Sequence, residues 1–363
     1  MALLYGGRSA EHEVSCVSAR HVAAAIEPSK YEVVPVGITK DGRWVLPDVA
    51  RTVLDGGPLK VPEETFEAEG SPITPLGRFS DEGAMSLTGI APDVVFPVLH
   101  GPYGEDGTVQ GLLELADVPY VGSGVLGSAV AMDKVMMKVA FRAAELPTAQ
   151  FVVLRQQEWQ RERGRLLEAA VSLGFPSFTK PANLGSSVGI TRCTDRHSLA
   201  RGIELAFEFD RKVVVEEGIS GREIECAVLG NDSPEASVCG EILPGREFYD
   251  YTAKYLDPSS RTVVPADLPR AVSEEIRRHS LAAFRAVEAA GLSRVDFFYD
   301  AGGRGVVVNE INTMPGFTEI SMFPKLWEAT GIPYATLIDK LLELALERYA
   351  SKPRPKVAGP GAL

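Results

Sequence analysis

Hydrophobic positions along this chain switch repeatedly between a strand-like and a helix-like period, and the switches mark out successive elements. ALLY near the amino terminus is a continuous apolar run ending at Gly6-Gly7, which predicts a short buried strand. After GGRSAEHEVS an amphipathic helical pattern runs to about Ile26, and YEVVPVGIT and DVVFPVLHG read again as strands. Strands apolar on both faces and separated by helices predict an open parallel α/β sheet. Between Asp48 and Glu82 the composition turns to Pro, Gly and acid, as an insertion or loose surface segment would. The helical stretch AMDKVMMKVAFRAAE, beginning near Ala131 after GSGVLGS, opens a second section. It continues through strand QFVVL, helix GRLLEAAVSLG, strands PSFTKP and GITRCT, helix SLARGIELAFEF and strand VVVEEGI. A third section starts at about Gly221 with strands REIECAVLG and ASVCGEIL. A long helix from Ala271 to Ala290, two paired strands and a closing helix from Tyr334 to Tyr349 complete it. The first strand begins almost at Met1, so a natural start a few residues upstream is expected.

The paired strands carry the strongest chemical signal. SRVDFFYD and GVVVNEIN are rich in β-branched and aromatic residues, and DAGGRG between them supplies a reversal. A turn centred on Gly303 sets Asp296 opposite Glu310 and Arg294 opposite Asn312, with all four on one face. Two carboxylates and an amide are the hard oxygen donors magnesium prefers, usually together with substrate phosphates. By itself such a quartet is more often a solvated face with a surface salt bridge; the neighbouring motifs tip the balance.

Composition narrows the partners. The 363 residues suffice for two or three domains, and 45% hydrophobic content suits a globular protein. A formal charge of -12 offers no electrostatic footprint for nucleic acid or anionic membrane, so neither is expected as a partner, and a phosphate ligand needs locally placed cations. The four cysteines, Cys16, Cys193, Cys226 and Cys239, lack CxxC or zinc spacing and read as reduced thiols. MALLYGG has no basic n-region and no spanning apolar run follows, so a cytoplasmic location is expected.

Several loops offer candidate ligands. KPANLGSSVGI sets Lys180 at a strand end before small residues whose backbone N–H groups can close around phosphate oxygens. Gly185, Ser187 and Gly189 also satisfy GxSxG, but a hydrolase elbow requires a helix next, and β-branched GITRCT follows instead. Lys134 lies near a helix start, where an exposed lysine is the bland alternative. Glu216, Glu217 and Glu223 surround a strand end and a glycine-containing turn, fit for an amino group or ribose hydroxyls or equally for a solvated acidic edge. Residues 244–268 show no secondary-structure period; Phe248, Tyr249, Tyr251, Lys254 and Tyr255 give the stretch the makeup of a lid. HGPYGEDG, with His100 and Glu105, is a second glycine-rich loop at a strand end. Ser9 is the expected cap of the first helix, and Glu11 beside it is placed to receive an ammonium group or to complement the helix dipole.

Taken in order, GGRSAEHEVS, HGPYGEDG, MDK, KPANLGSSVGI, YDYTAKY, RVDFF and NEINTMPGFTEIS resemble the D-alanine:D-alanine ligase family of the ATP-grasp superfamily, from Leu3 to about Ala350. The resemblance implies an α/β fold of three-domain ATP-grasp architecture: an N-terminal open parallel α/β domain (1–122), a central subdomain (123–219), and a C-terminal subdomain (220–350) carrying the lid 244–268. A disordered tail (351–363) would follow. It implies a cytoplasmic homodimer that uses ATP and magnesium or manganese, with two ions, to join two molecules of D-alanine for peptidoglycan synthesis. By the family pattern, Lys134 and Lys180 bind the ATP phosphates, with Glu216 beside them; Glu217 and Ile219 line the adenine hinge, and Glu223 takes the ribose. Asp296, Glu310 and Asn312 match the metal ligands. Glu11 matches the residue that receives the first D-alanine's ammonium, while Arg294 and the Gly316 N–H match the oxyanion stabilisers. Ser321 resembles the seat of the second carboxylate, Ser186 and Tyr255 the pair linking the lid to Glu11, and Lys254 the lid residue reaching the γ-phosphate. Relatives using D-lactate carry histidine where Tyr255 lies, so the dipeptide product is favoured over the depsipeptide. D-serine as second substrate is the closer alternative, and a catalytically silent nucleotide-binding protein the remote one.

Overall fold

The computed structural model describes residues 1–45, 47–61, 92–243 and 261–353. Lys254, Tyr255 and the other lid aromatics, most of the 48–82 segment and all but the first three residues of the tail lie outside them.

The N-terminal unit is built on β1 (Ala2–Gly6), β2 (Val34–Ile38), β3 (Trp44–Val45) and β4 (Val95–Pro97), in the order β3-β2-β1-β4. β1 pairs parallel with β2 and β4, and only the edge strand β3 is antiparallel. All five residues of β1 are buried, as expected of a central strand covered on both faces. Helices α1 (His12–Ala25), α2 (Pro47–Leu54) and α3 (Thr108–Leu115) belong to this unit. The last two escape the sequence pattern: each is only eight residues long, too short to establish a period.

The expected single helix at 131 is two. α4 (Val125–Met132) and α5 (Lys134–Ala143) are broken at Asp133, whose extended backbone lets its carboxylate cap the Val135 and Met136 N–H groups. A small antiparallel sheet comes next, ordered β5 (Phe151–Arg155), β8 (Lys212–Glu217), β6 (Ser177–Pro181), β7 (Thr191–Cys193). α6 (Gln156–Val171) and α7 (Arg196–Ala206) cover it, and the unit has its own core around Leu154, Trp159, Leu199 and Val215.

The last unit is a five-stranded antiparallel sheet in the order β11 (Arg261–Val263), β10 (Glu235–Leu243), β9 (Arg222–Gly230), β12 (Gly291–Asp300), β13 (Gly305–Asn312). β11 corrects the expectation that 244–268 lacks regular structure throughout, since Arg261–Val263 pairs with the end of β10. α8 (Arg270–Ala286) packs on one face with α4 and α5, whose Ala131, Met137 and Phe141 join that core. On the other side α9 (Met322–Thr330) and α10 (Tyr334–Ser351) share one core with β1 and α1. Phe96 of β4 meets Phe317 edge-on at 5.6 Å between ring centres, and this contact ties the 313–321 loop to the N-terminal sheet. No helix among the described residues is long and apolar enough to cross a membrane.

Candidate active site

Three chain segments meet at Glu11. Gly6 and Gly7 leave β1 with φ of 90° and 94°, a left-handed path that a side chain on Gly6 would block, its Cβ lying 2.2 Å from the Ile38 carbonyl. The path delivers Glu11 to the position just before α1, correcting Ser9 as the cap. Ser9 sits further back, where its hydroxyl accepts from the Glu11 N–H at 3.1 Å and donates to the His100 carbonyl at 2.6 Å. Gly101 takes a left-handed φ of 74°, and a Cβ there would lie 2.7 Å from Glu11 Oε2, so a larger residue would strain the backbone and push the carboxylate aside. From the third segment, Ser186 donates a short hydrogen bond to Glu11 Oε1.

The loop after β4 is held from below. Buried His100 keeps Nδ1 at 3.0 Å from the Met314 carbonyl, which assigns the proton to that nitrogen, and Nε2 accepts from Ser18 Oγ at 3.1 Å. Burial lowers its pKa, so the ring stays neutral. Half-buried Glu105 accepts the Gly101 N–H at 2.6 Å; burial, and after it the charge on Glu11, push its carboxyl up to about 8.

The glycine-rich loop after β6 turns through Ser186 and Ser187 at φ of 47° and 60°, consecutive left-handed residues whose amides can form an anion-binding concavity. The chain then enters β7, not a helix, so the hydrolase elbow is absent. Lys134 reaches over the loop, donating from Nζ to the Leu184 carbonyl at 2.6 Å. Lys180 donates to Glu216 Oε2 at 2.9 Å, and the same carboxylate meets Lys138 at 3.2 Å through Oε1. Burial would raise the Glu216 pKa, but the two lysines bring it down to about 2. Against the lowering effect of burial, Glu216 and Glu310 raise the Lys180 pKa.

β8 passes into β9 across 218–221, the hinge between the two antiparallel sheets. Glu217 ends β8 with its main chain paired to Gln150, while its carboxylate accepts the Gln150 N–H at 2.6 Å and a short bond from Arg304. Its side chain is therefore committed to the fold, as is its main-chain N–H. Glu223 and Glu225 lie beyond the hinge on one face of β9. The register sets Glu225, Asp296 and Glu310 side by side across three strands, with Arg294 opposite Asn312.

That register agrees with expectation although the turn is slightly shifted. The hairpin closes between Asp300 and Gly305, its centre half a residue before Gly303, and a bulge at Asn309 restores the pairing. Arg294 places a guanidinium fork on Asp296, both contacts at 2.7 Å, and lies 3.1 Å from Glu225. Asn312 adds a bond to Asp296 at 3.0 Å. Arg294 thus fills the space among the acids, and among the described residues no three His, Cys, Asp or Glu side chains form a ready metal cluster. Its own pKa rises well above normal, because Asp296 and Glu225 outweigh burial.

One cavity of about 450 Å³ gathers Glu11, Ser186, Arg294, Gly316, Ser321, Lys134, Glu310 and Asn312 on its wall. Lys180, Glu216, Glu217, Ile219, Glu223 and Asp296 are not on that wall but lie toward the hinge or beneath it. A Cβ on Gly316 would come 2.9 Å from Ser321 Oγ, so this glycine admits the hydroxyl. Ser321 sits at the start of α9, its hydroxyl 2.8 Å from Thr318 Oγ1, and the free N–H groups of that helix end favour a carboxylate. Sequence reasoning missed Lys138 and Glu225. Both were marked by spacing: Lys138 one helical turn after Lys134, and Glu225 two residues after Glu223 on the same strand face.

Two hinged antiparallel sheets bearing paired lysines, a glycine-rich loop and an acidic hairpin, behind an N-terminal parallel sheet, define an ATP-grasp ligase fold. Residues 1–123 match the family model described as D-ala D-ala ligase N-terminus, and 140–343 the one described as D-ala D-ala ligase C-terminus. The chain belongs to the D-alanine–D-alanine ligase family. It is 49% identical over 352 residues to the D-alanine–D-alanine ligase of Solibacter usitatus, covering 97% of each chain. The Bacillus cytotoxicus enzyme of the same name is 46% identical over 359 residues, covering 98% of each. Among solved structures, the D-alanine-D-alanine ligase from Coxiella burnetii superposes with a TM-score of 0.81 at 38% identity, covering 96% of this chain and 94% of that one. The VanG D-Ala:D-Ser ligase from Enterococcus faecalis gives 0.79 at 35%, with coverage of 95% and 98%.

Proposed function

We infer that the chain joins two D-alanines into D-alanyl-D-alanine, a peptidoglycan precursor, at the expense of ATP. Family membership over nearly the whole length supports the reaction. The observation that carries the residue assignments is the Ser186–Glu11 bond, which closes the glycine-rich loop onto the N-terminal unit across 175 positions of sequence. A carboxylate is a poor electrophile, so the first D-alanine is activated by taking the γ-phosphoryl group of ATP as an acyl phosphate. Phosphoryl transfer asks the protein mainly for positioning and cations. In this reading Lys134 and Lys180 hold the phosphates, the main chain of Glu217 and Ile219 faces the adenine, and Glu223 binds the ribose. Glu11 receives the first ammonium. Ser321 and the start of α9 receive the second carboxylate. As the second amine attacks, Arg294 and the Gly316 N–H stabilise the oxyanion. The lid, with Lys254 and Tyr255, excludes the water that would hydrolyse the acyl phosphate.

Asp296, Glu310 and Asn312 fit magnesium or manganese by donor chemistry, all hard oxygens in adjacent register positions. Two ions there would neutralise charge on the phosphate oxygens. Asp296 accepts from Arg294 at both oxygens and from Asn312 at Oδ2, so a metal there would compete with the guanidinium fork for its lone pairs. A homodimer in the cytoplasm completes the reading. Incubation with ATP, magnesium and D-alanine, D-serine or D-lactate, followed by mass spectrometry, tests it: D-alanyl-D-alanine should dominate, and ADP formation without a dipeptide would refute it. Glu310→Ala should abolish turnover, and wild-type rates in that variant would contradict the metal assignment.

A further inference from the structure

We propose that Lys138 is a positioning residue for the nucleotide end of the reaction: from behind the site it orients Glu216, which holds the Lys180 ammonium, and it tethers the bulge that presents Glu310. The inference rests on the nucleotide site of the ligase reading and adds to it a residue that touches no substrate.

Lys138 lies one turn of α5 beyond Lys134, so both project from the same face of the helix. Their fates differ. Lys134 reaches the glycine-rich loop, whereas the Lys138 side chain is only 1% exposed. A lysine can normally extend its flexible stem to bring the ammonium to water. Here the ammonium is retained inside, and burying it is costly unless its partners are well placed.

Its first partner is Glu216 Oε1 at 3.2 Å, and the other oxygen of that carboxylate takes Lys180 at 2.9 Å. One lysine would neutralise Glu216. With two, the triad carries a net positive charge, and the cation with access to the site is Lys180, whose side chain is 12% exposed against 1% for Lys138. Lys138 thus fixes the carboxylate from the closed side, and the carboxylate restricts a long side chain that would otherwise sample many rotamers. Its second partner is the Asn309 carbonyl, at a long 3.5 Å. Asn309 is the extra residue of the β13 bulge, and the bulge is what turns Glu310 onto the face of Asp296. One buried ammonium therefore touches both the anchor of a phosphate lysine and the backbone beside a metal carboxylate.

The test compares wild type with Lys138→Met and Lys138→Arg in the full chain. Binding of ADP with magnesium chloride is measured by titration calorimetry, and KM values for ATP and D-alanine come from ADP release. Methionine removes the charge, and arginine keeps it while moving the donor atoms. Both should weaken ADP binding and raise the ATP KM, by about ten- to a hundredfold for methionine, as loss of a charge-assisted contact would. The D-alanine KM should stay within about twofold, a change too small to signal loss of an interaction. Should the methionine variant fail to fold, the arginine variant carries the test. Wild-type ADP affinity in Lys138→Arg would reduce Lys138 to a counter-charge, and an equal rise in both KM values would mark general loosening; either result overturns the proposal. A wild-type protein that binds no ADP would remove the nucleotide site itself, and this proposal with it.

Discussion

Replacing Arg294 with methionine isolates the charge balance beneath the cavity. The arginine side chain is 17% exposed, forks onto Asp296 at 2.7 Å twice, and lies 3.1 Å from Glu225. Its removal strands buried Glu225 and partly buried Asp296 beside Glu310. Breaking a buried pair from one side costs about 3–5 kcal/mol. At about 1–2 °C per kcal/mol for a chain of this length, the melting temperature in metal-free buffer should fall by roughly 3–10 °C. The same three acids then attract a divalent cation without having to displace a guanidinium. Magnesium chloride should therefore recover more stability in the variant than it adds to the wild type. Turnover stays low in either case if Arg294 is the proposed oxyanion stabiliser, a loss worth about 10²–10³ in rate. Thermal unfolding with and without excess magnesium reads out both effects. Equal melting of the two proteins without metal would refute the stabilising role of the fork, and equal magnesium shifts would refute the competition between arginine and metal.

Two further substitutions probe the neighbouring contacts. Glu216 has its folded pKa depressed from 4.5 to about 2, so the stability it contributes is present above about pH 4.5 and is lost as pH falls toward 2. That shift corresponds to about 3 kcal/mol. Urea midpoints between pH 5 and pH 3 should accordingly fall more steeply for wild type than for Glu216→Gln, and parallel curves would show that the lysines do not hold the carboxylate as described. Ser186→Ala removes the donor to Glu11. Losing a hydrogen bond to a charged group should raise the D-alanine KM by about tenfold or more while leaving ADP affinity nearly unchanged; comparable losses in both would put Ser186 on the nucleotide instead.

The hairpin illustrates how far residue patterns carry and where they stop. Strict alternation in GVVVNEIN would leave Val308 on the same face as Glu310. The bulge at Asn309 instead sends Val308 to the core, where it is fully buried, and keeps Glu310 beside Asp296. The polar quartet was legible because opposed acids and amides stand out against a β-branched background. The bulge was not, since nothing local distinguishes an extra residue from a turn placed half a step away. The break at Asp133 was legible in principle, as an acidic cap before a new helix, but the apolar residues on either side resemble one continuous pattern.

Local order settled most of the elements and their chemistry: strand ends with glycine, lysines at a helix start and a strand end, and acids two residues apart. These arise from neighbours in sequence, through side-chain period and backbone sterics. Which of those groups meet was decided by packing at long range. The core shared by β1, α1, α9 and α10 draws the 313–321 loop against the N-terminal sheet. Ser186 and Glu11 touch because two separately cored units close on each other. Lys138 became an interior cation only when α5 was laid against the large sheet and the end of β8 in the small sheet brought Glu216 to it. A side chain's period tells it which way to point, but burial and charge pairing depend on what the rest of the chain brings to that spot.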